Sequence, residues 1–510
     1  MLIWFSLCYL MVNLKYINTK NMKKFFPTLL ILCFSLAGFS QNKPFKLKMK
    51  INGMQDSACY LLNYYGSKMY YNDTAQFNNN GVVIFEKDEK PKGGLYIVYT
   101  GGKRLFEIII NDEDYIELET DTLDYIGKMS VKKSKENKLF FEYLSFLSKK
   151  QKGSIPMRNK LQAKETSAKE KTEINKKLAN IGVEINEYRD NIIKNNNDLF
   201  ISVFFKTMNE TQTPNFAEIK NDSLKRLMKY EHYKNHYFDN LDFSDDRINN
   251  TPLYHNKIEK YFKSIAYPNP DSIIKDVDIV LEKAKANDEL YKYTTYYLLS
   301  YYEKSKIMGM DAVFAHIGLN YYTHELAFWS DSTQIEKIQD KSRKLSPLLI
   351  GKPAINLSLL DTSGNKWEQL YNVKAKYTVL VFWDPDCGHC IKELPKLSKA
   401  VDSLKQTFDI KVFSVSSNHS EEWKKFIRNN KIDFINVAVP MEAYSDQNKA
   451  TQFIIDGHTD LKSLNYNKTY DIFSTPQIYL LDSKKIIVGK KLDAELLKKV
   501  VQKEEAKSKK

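Results

Sequence analysis

Two cysteines separated by two residues, Cys387-Gly388-His389-Cys390, stand directly after the apolar run Tyr377-Thr-Val-Leu-Val-Phe-Trp383. They head a helix-periodic stretch that reaches about Thr407. An apolar run of this length, rich in β-branched and aromatic residues, is a buried strand. A strand that feeds a helix puts the first thiol at the helix N-terminus. There the unpaired N–H groups and the positive end of the helix dipole both favour the thiolate. Cys387 therefore reads as a nucleophile with a lowered pKa. Cys390, one turn deeper, is placed to resolve a mixed disulfide. His389 adds partial or full positive charge beside the thiolate.

The alternation continues on both sides of this pair. Ile410 to Val415 reads as the next strand, Glu421 to Asn430 as a helix and Phe434 to Val439 as a third strand. Gln477 to Leu481 and Lys485 to Val488 form a final strand pair, followed by a helix from Asp493 to Gln502. Strands alternating with helices give an α/β sheet over residues 346–502. Upstream, residues 43–130 carry short apolar runs, from Phe45 to Ile51, Cys59 to Tyr64, Val82 to Phe85, Leu95 to Tyr99, Leu105 to Ile110 and Tyr115 to Leu118. Turn clusters such as Asn78-Asn-Asn-Gly81 and Gly101-Gly102 separate them, which predicts a small antiparallel sandwich or barrel. Residues 131–345 switch to a helical period, seen in the stripe Ile174, Leu178, Ile181, Ile185, Tyr188 and Ile192. The chain is thus expected to be multidomain α+β. An N-terminal antiparallel β domain spans 43–130, a central irregular helical domain 131–345 and a C-terminal α/β domain 346–502, with a charged tail at 503–510.

A chain of 510 residues allows several domains of ~150 residues each. With 43% apolar and 27% charged residues it is globular rather than disordered. Residues 22–41 combine Met22-Lys23-Lys24, an apolar stretch from Phe25 to Phe39 and the small residues Gly38 and Ser40. This is the pattern of a secretory signal peptide cut after Ser40. Residues 1–21 read as an over-extended start, and an uncleaved N-terminal anchor is the alternative. The leader and the tail hold much of the net charge of +14, and only seven of the 77 basic residues are Arg. Arg is the residue that bidentate phosphate and base recognition favours, so no nucleic-acid partner is expected.

Of the five cysteines, Cys8 and Cys33 lie in the leader and Cys59 stands in an apolar strand-like stretch as an inert buried thiol. So few cysteines in an exported chain do not make a disulfide scaffold. Zinc would need two more ligands beside the Cys387–Cys390 pair, and no second cysteine pair exists. Haem attachment would need His after the second cysteine, where Ile391 stands. His232 and His236 lack a third ligand at a fixed spacing. No metal and no cofactor is expected.

The flanking residues resemble the thioredoxin superfamily. Phe382-Trp383 precede the site, Pro395 matches a proline that kinks the active-site helix, and Thr475-Pro476 stands where the family places a cis-proline facing the disulfide. Glu393, three residues after Cys390, is similar to the glutamate of the TlpA/ResA group of exported thiol-disulfide oxidoreductases. The upstream regions resemble the DUF4369-type β domain and the DUF5106-type helical region of Bacteroidota proteins. The resemblance implies a thioredoxin fold over 346–502 and disulfide exchange in the periplasm, with reduction favoured. It makes Cys387 and Cys390 the redox-active disulfide, Glu393 the proton carrier and Pro476 the residue presenting backbone to substrate. Trp383, His389 and Thr475 would contact that substrate. Partners would be protein or small thiol and disulfide substrates and a membrane electron donor. Two departures stand out. Val381 occupies the position of a buried Asp in thioredoxin, and the segment between Val439 and Pro476 is long. The alternatives are a partner-binding scaffold with a regulatory or vestigial redox module, and a peroxiredoxin-like peroxidase. Trp383-Asp-Pro-Asp-Cys387 lacks the Pro-x-x-x-Thr pattern of the peroxidase.

Overall fold

The computed structural model describes residues 44–508, so the expected signal peptide and its cut after Ser40 lie outside the described residues. The chain divides into two compact units, one holding residues up to 188 except 64–69, the other holding 64–69 and everything from 189 onward.

In the first unit, strands β1 (Phe45–Asn52), β2 (Ala58–Tyr65), β3 (Lys68–Gln76), β4 (Val82–Lys87), β5 (Gly94–Thr100), β6 (Lys103–Ile110), β7 (Tyr115–Asp121) and β8 (Ser130–Lys133) build two four-stranded sheets. Their orders are β4-β1-β7-β8 and β3-β2-β5-β6. β1 shows the rule that makes them. Phe45, Leu47, Met49 and Ile51 are buried, while Lys46, Lys48 and Lys50 pair with Glu86 on β4 and with Glu117 and Glu119 on β7. The pairing is antiparallel as expected, except that β1 and β7 run parallel. The long stretch between them supplies the crossover that parallel neighbours need. β3 and β8 were not expected. β3 is an edge strand with Met69, Tyr70 and Tyr71 exposed, so it has no apolar alternation to betray it.

Helix α1 (Lys135–Gln162) begins at the cap residue Ser134, which accepts the Asn137 N–H. The buried Asn137 side chain then accepts the N–H of Ile109 on β6 at 2.9 Å and donates to its carbonyl at 2.7 Å. Helix α2 (Ala168–Asn195) carries the expected stripe, with Ile174 and Ile192 buried and Tyr188 stacked on Phe146 of α1 at 4.5 Å.

The second unit begins with α3 (Phe200–Met208), α4 (Asp222–Asn235), α5 (Pro252–Lys260), α6 (Pro270–Ala284), α7 (Asp288–Glu303), α8 (Asp311–Asn320) and α9 (Ser332–Leu345). Helices α4 to α9 contribute to a core rich in Tyr and Phe. Asn221, Thr251, Asn269, Asn287 and Asp331 each cap a helix here by accepting backbone N–H groups.

A seven-stranded sheet follows, made of β9 (Ser358–Asp361), β10 (Trp367–Gln369), β11 (Tyr377–Trp383), β12 (Ile410–Ser416), β13 (Ile435–Ala438), β14 (Gln477–Leu481) and β15 (Ile487–Lys490). Its order is β10-β9-β13-β12-β11-β14-β15. Helices α10 (Gly388–Lys405) and α11 (Glu421–Asn429) connect the parallel strands β11, β12 and β13. The long segment before β14 folds into four short helices, α12 (Met441–Ser445), α13 (Gln447–Ile455), α14 (Leu461–Leu464) and α15 (Tyr466–Thr469). Helix α16 (Ala494–Ser508) follows β15. Every residue of β11 is buried. Val379, Val381 and Trp383 pack with Cys390 and Leu394 of α10, and Leu380 and Phe382 pack on the other face with Tyr466, Tyr470 and Tyr479. Burial on both faces explains the unbroken apolar run. β15 starts two residues later than expected. Lys485 occupies the turn at a φ of 62°, with its ammonium donating to the Val373 carbonyl and the Thr378 hydroxyl.

Lys490, at the end of β15, ties this sheet to the helices. Its ammonium lies 2.5 Å from the Asp311 carboxylate of α8 and 2.9 Å from the Leu348 carbonyl, and the residue is 2% exposed. Removing one member of a buried pair strands the other charge, whereas replacing both by apolar groups is close to neutral. Asp311→Ala should lower the unfolding free energy by about 3–5 kcal/mol, and the double change Asp311→Leu with Lys490→Met should recover most of that. Chemical denaturation of the three chains checks it, and an equal loss in both variants would contradict it.

Candidate active site

β11 ends at Trp383, and the loop Asp384-Pro385-Asp386 carries the chain to Cys387, the N-cap of α10. Asp384 shapes this loop. Its carboxylate accepts the Asp386 N–H at 2.8 Å, and its carbonyl accepts the Cys387 N–H at 3.2 Å. Asp384 was not among the expected site residues. The signal was present, because an Asp side chain that accepts the backbone N–H two residues on forms an Asx turn.

Cys387 is partly exposed, Cys390 is fully buried and both are reduced. The Thr475–Pro476 bond is cis, as expected, and the Thr475 carbonyl oxygen lies 3.7 Å from the Cys387 sulfur. The Cys390 backbone N–H does most to hold the Cys387 thiol below the usual thiol range. Burial works against it, while the Cys390 thiol, the Thr475 side chain and the His389 N–H act with it. The long contact from the thiol to the Thr475 carbonyl favours the neutral form, and the amides at the helix start outweigh it. Burial pushes the Cys390 thiol up to about 11. The Thr475 side chain and the Asp384 N–H pull it down, and the neighbouring Cys387 raises it again. The two sulfurs thus have opposite characters, an exposed one poised as thiolate and a buried one held as thiol.

The structure brings Cys387, Cys390, Thr475 and Pro476 together. His389 is exposed on the first turn of α10. Trp383, expected at the substrate surface, is instead wholly buried beneath the site, and its indole N–H donates to the Ser414 hydroxyl at 2.9 Å. Filling the core under β11 uses the ring that a substrate contact would need outside. Glu393 lies one turn beyond Cys390 with its side chain 21% exposed, and its carboxylate accepts the Lys396 ammonium at 2.7 Å. Pro395 falls inside α10. Ile391 and Phe473 are exposed apolar side chains beside Cys390 and Thr475 in the chain. Cys59 is buried in β2, and burial pushes its thiol up to about 12. That agrees with an inert thiol.

Residues 350–490 match the AhpC/TSA family, and residues 160–345 match DUF5106, a domain of unknown function. A domain described as a possible thiol-disulfide isomerase from Cytophaga hutchinsonii is 39% identical, over 32% of this chain and 99% of that one, with a TM-score of 0.26. The thioredoxin domain of a thiol-disulfide oxidoreductase from Bacteroides vulgatus is 27% identical, over 30% and 96%, with a TM-score of 0.24. A thioredoxin-like protein from Bacteroides caccae is 17% identical, over 58% and 98%, with a TM-score of 0.40. No curated protein matches the chain. The family match gives the class of the C-terminal region. The chain carries an AhpC/TSA thioredoxin-like domain over residues 350–490, and it carries the DUF5106 region that the sequence led us to expect.

The opposed thiols set a pH dependence. A lowered pKa keeps Cys387 as thiolate to a lower pH than an ordinary cysteine, whereas Cys390 ionises only near pH 11. Iodoacetamide at pH 7 should label Cys387 of the reduced protein at least about tenfold faster than Cys390. Peptide mass spectrometry over a time course reads the two rates, and equal rates would reverse the assignment.

Proposed function

We propose that the chain exchanges disulfides in the bacterial periplasm, reducing protein or small-thiol substrates through Cys387 and Cys390. The opposite character of the two thiols is the observation that supports this most. In the first step the Cys387 thiolate attacks one sulfur of a substrate disulfide. That S–S bond breaks, and the departing substrate thiolate takes a proton. In the second step Cys390 gives up its proton and attacks the Cys387 sulfur of the mixed disulfide. The second substrate thiol leaves, and the protein holds a Cys387–Cys390 disulfide. The substrate gains two electrons and the protein loses them. An external dithiol, supplied through a membrane electron donor, restores the starting state. Thr475 and Pro476 present backbone to the substrate beside Cys387, and exposed His389 borders the same surface.

A second cysteine one turn away on the same helix suits exchange better than peroxide reduction, because it captures the mixed disulfide within the chain. Among the described residues no helix is long and apolar enough to cross a membrane.

The buried Cys390 needs a base before it can attack. Glu393 is the carboxylate one turn further on α10, and it accepts the Lys396 ammonium at 2.7 Å. Glu393→Gln should leave the first attack intact and slow resolution by roughly 10²-fold, the usual contribution of a general base. Stopped-flow traces of the two steps separate these effects, and unchanged resolution would leave Glu393 as a surface carboxylate. Cys390→Ser should accumulate mixed disulfides on Cys387, visible as a mass shift, and Cys387→Ser should form none. The reduction potential tests direction. A value near the thioredoxin value of about −270 mV fits a reductase, and one near about −120 mV, as in the oxidant DsbA, would reverse the assignment.

A further inference from the structure

The segments that meet around the redox loop carry charge of one sign. Ser417, just after β12, donates its N–H to the Trp383 carbonyl at 3.0 Å, and its own carbonyl accepts the Tyr444 hydroxyl of α12 at 3.2 Å. The Thr475 carbonyl stands 3.7 Å from the Cys387 sulfur. These contacts link residues 417–423, 440–448 and 472–477 to the redox loop and helix start at 384–391. The four stretches hold Asp384, Asp386, Glu421, Glu422, Glu442 and Asp446, with His389 and His419 but no Lys or Arg. The chain as a whole leans the other way, with 77 Lys and Arg against 63 Asp and Glu.

Little inside the protein neutralises these acids. Of the six, only Glu421 forms ion pairs among the described residues, with Lys424 at 3.0 Å and Arg428 at 4.0 Å. Asp384 shapes the redox loop, and Asp446 caps α13. The carboxylates of Asp386, Glu422 and Glu442 are exposed and take no partner among the described residues. Helices α10, α11 and α13 begin in these stretches. Each start offers about half a positive charge, which does not offset six carboxylates. Lys392, the first cation on α10, is five residues past Cys387 and so about 140° round the helix from it. Where residues 473 and 474 meet the helical region, a cavity of about 240 Å³ adds no net charge. Lys341 there holds Glu303 at 2.7 Å, Lys490 holds Asp311, and Asp471 and Lys491 are one charge of each sign.

The carboxylates are not a site of their own. They set the field that a disulfide crosses to reach the sulfur. A negative field concentrates cations and repels anions, over about 30 Å at 0.01 M salt and about 3 Å at 1 M. The acids also lie on three separate stretches, so a ligand that meets them extends beyond its own S–S bond. An extended polypeptide does this, at roughly 3.3–3.6 Å per residue.

We infer that the preferred substrate is a basic polypeptide with Lys or Arg beside its reacting disulfide, and that Asp386, Glu422 and Glu442 are specificity determinants of the exchange. The inference rests on the exchange function proposed above and names its substrate class.

The test uses the full chain, prereduced, and two short peptides, each closed by one disulfide and identical except for Lys or Glu beside each cysteine. They compete in one reaction at about pH 8, where an ordinary imidazole is neutral. Mass spectrometry reads how much of each is reduced, and the ratio is divided by the ratio that dithiothreitol gives. The division removes the peptides' own difference in reactivity, and the ratio cancels any change in Cys387 itself. The corrected preference for the Lys peptide should be about tenfold at about 0.01 M salt and fall to about twofold or less at about 1 M. Asp386→Asn combined with Glu422→Gln and Glu442→Gln should cut the low-salt preference about threefold. Cystamine against 3,3′-dithiodipropionate repeats the comparison for small disulfides, and a preference there with none among the peptides overturns the polypeptide assignment. No preference for the Lys peptide at low salt, or one that neither salt nor the triple variant moves, overturns the inference. A parent chain that reduces none of these disulfides overturns instead the exchange function, and this inference with it.

Discussion

The first N–H groups of a helix have no partner within the helix, and something outside it must satisfy them. At most of the helix starts in the second unit an Asn, Asp or Thr side chain does so. At the start of α10 the cap position holds the Cys387 sulfur, which makes no capping hydrogen bond as a thiol. The Cys390 N–H is therefore free to act on charge at the sulfur, and it is the largest influence lowering that thiol's pKa. The helix gains its missing partner when Cys387 ionises. Reactivity here follows from an unmet need of the backbone, and the rest of the site serves to hold that backbone still.

That service is visible in the strand before it. β11 is buried on both faces, with Trp383 pinned to Ser414 beneath the loop. Asp384 then fixes the turn by two hydrogen bonds, so the sulfur emerges at one place. The same burial that holds Cys390 in the core raises its pKa to about 11. Position and protonation are coupled: moving Cys390 outward to ease its ionisation would also remove it from reach of the helix start. A proton acceptor near its turn resolves the conflict, which makes a carboxylate on α10 chemically useful.

Much of this was legible in the residues. β11 and β14 fall where the apolar runs place them, because a strand buried on both faces leaves nothing polar to blur its ends. The cysteine pair and the Thr475-Pro476 segment were readable, since helix starts and X-Pro bonds have strong local rules. What escaped detection had no buried face or was too short. β3 has no buried residue along its length. The β9–β10 hairpin spans four and three residues, below the length at which alternation means anything. Trp383 misled for a different reason. A large aromatic beside a reactive site can serve either the core or the substrate, and only its depth in the fold distinguishes them.

The pair between Lys490 and Asp311 shows how the helical region can matter to chemistry it does not perform. Buried ion pairs are weak evidence of stability, because desolvation offsets most of their attraction. Their value lies in direction: a charge accepts one partner in one place. Asp311 is the first residue of α8, where the helix dipole also favours an acid, and the preceding Met310 offers no side-chain cap. Lys490 ends β15, two strands from β11. The pair therefore sets α8 against the sheet at one register, and an apolar contact of equal area would tolerate sliding. Phe314 and Tyr302 stand on the helical side of the cavity, and Phe473 and Ser474 on the other. A slide of one ångström would change its width by about as much. The charge pair thus fixes the spacing between the helical wall and the loop that faces the Cys387 sulfur.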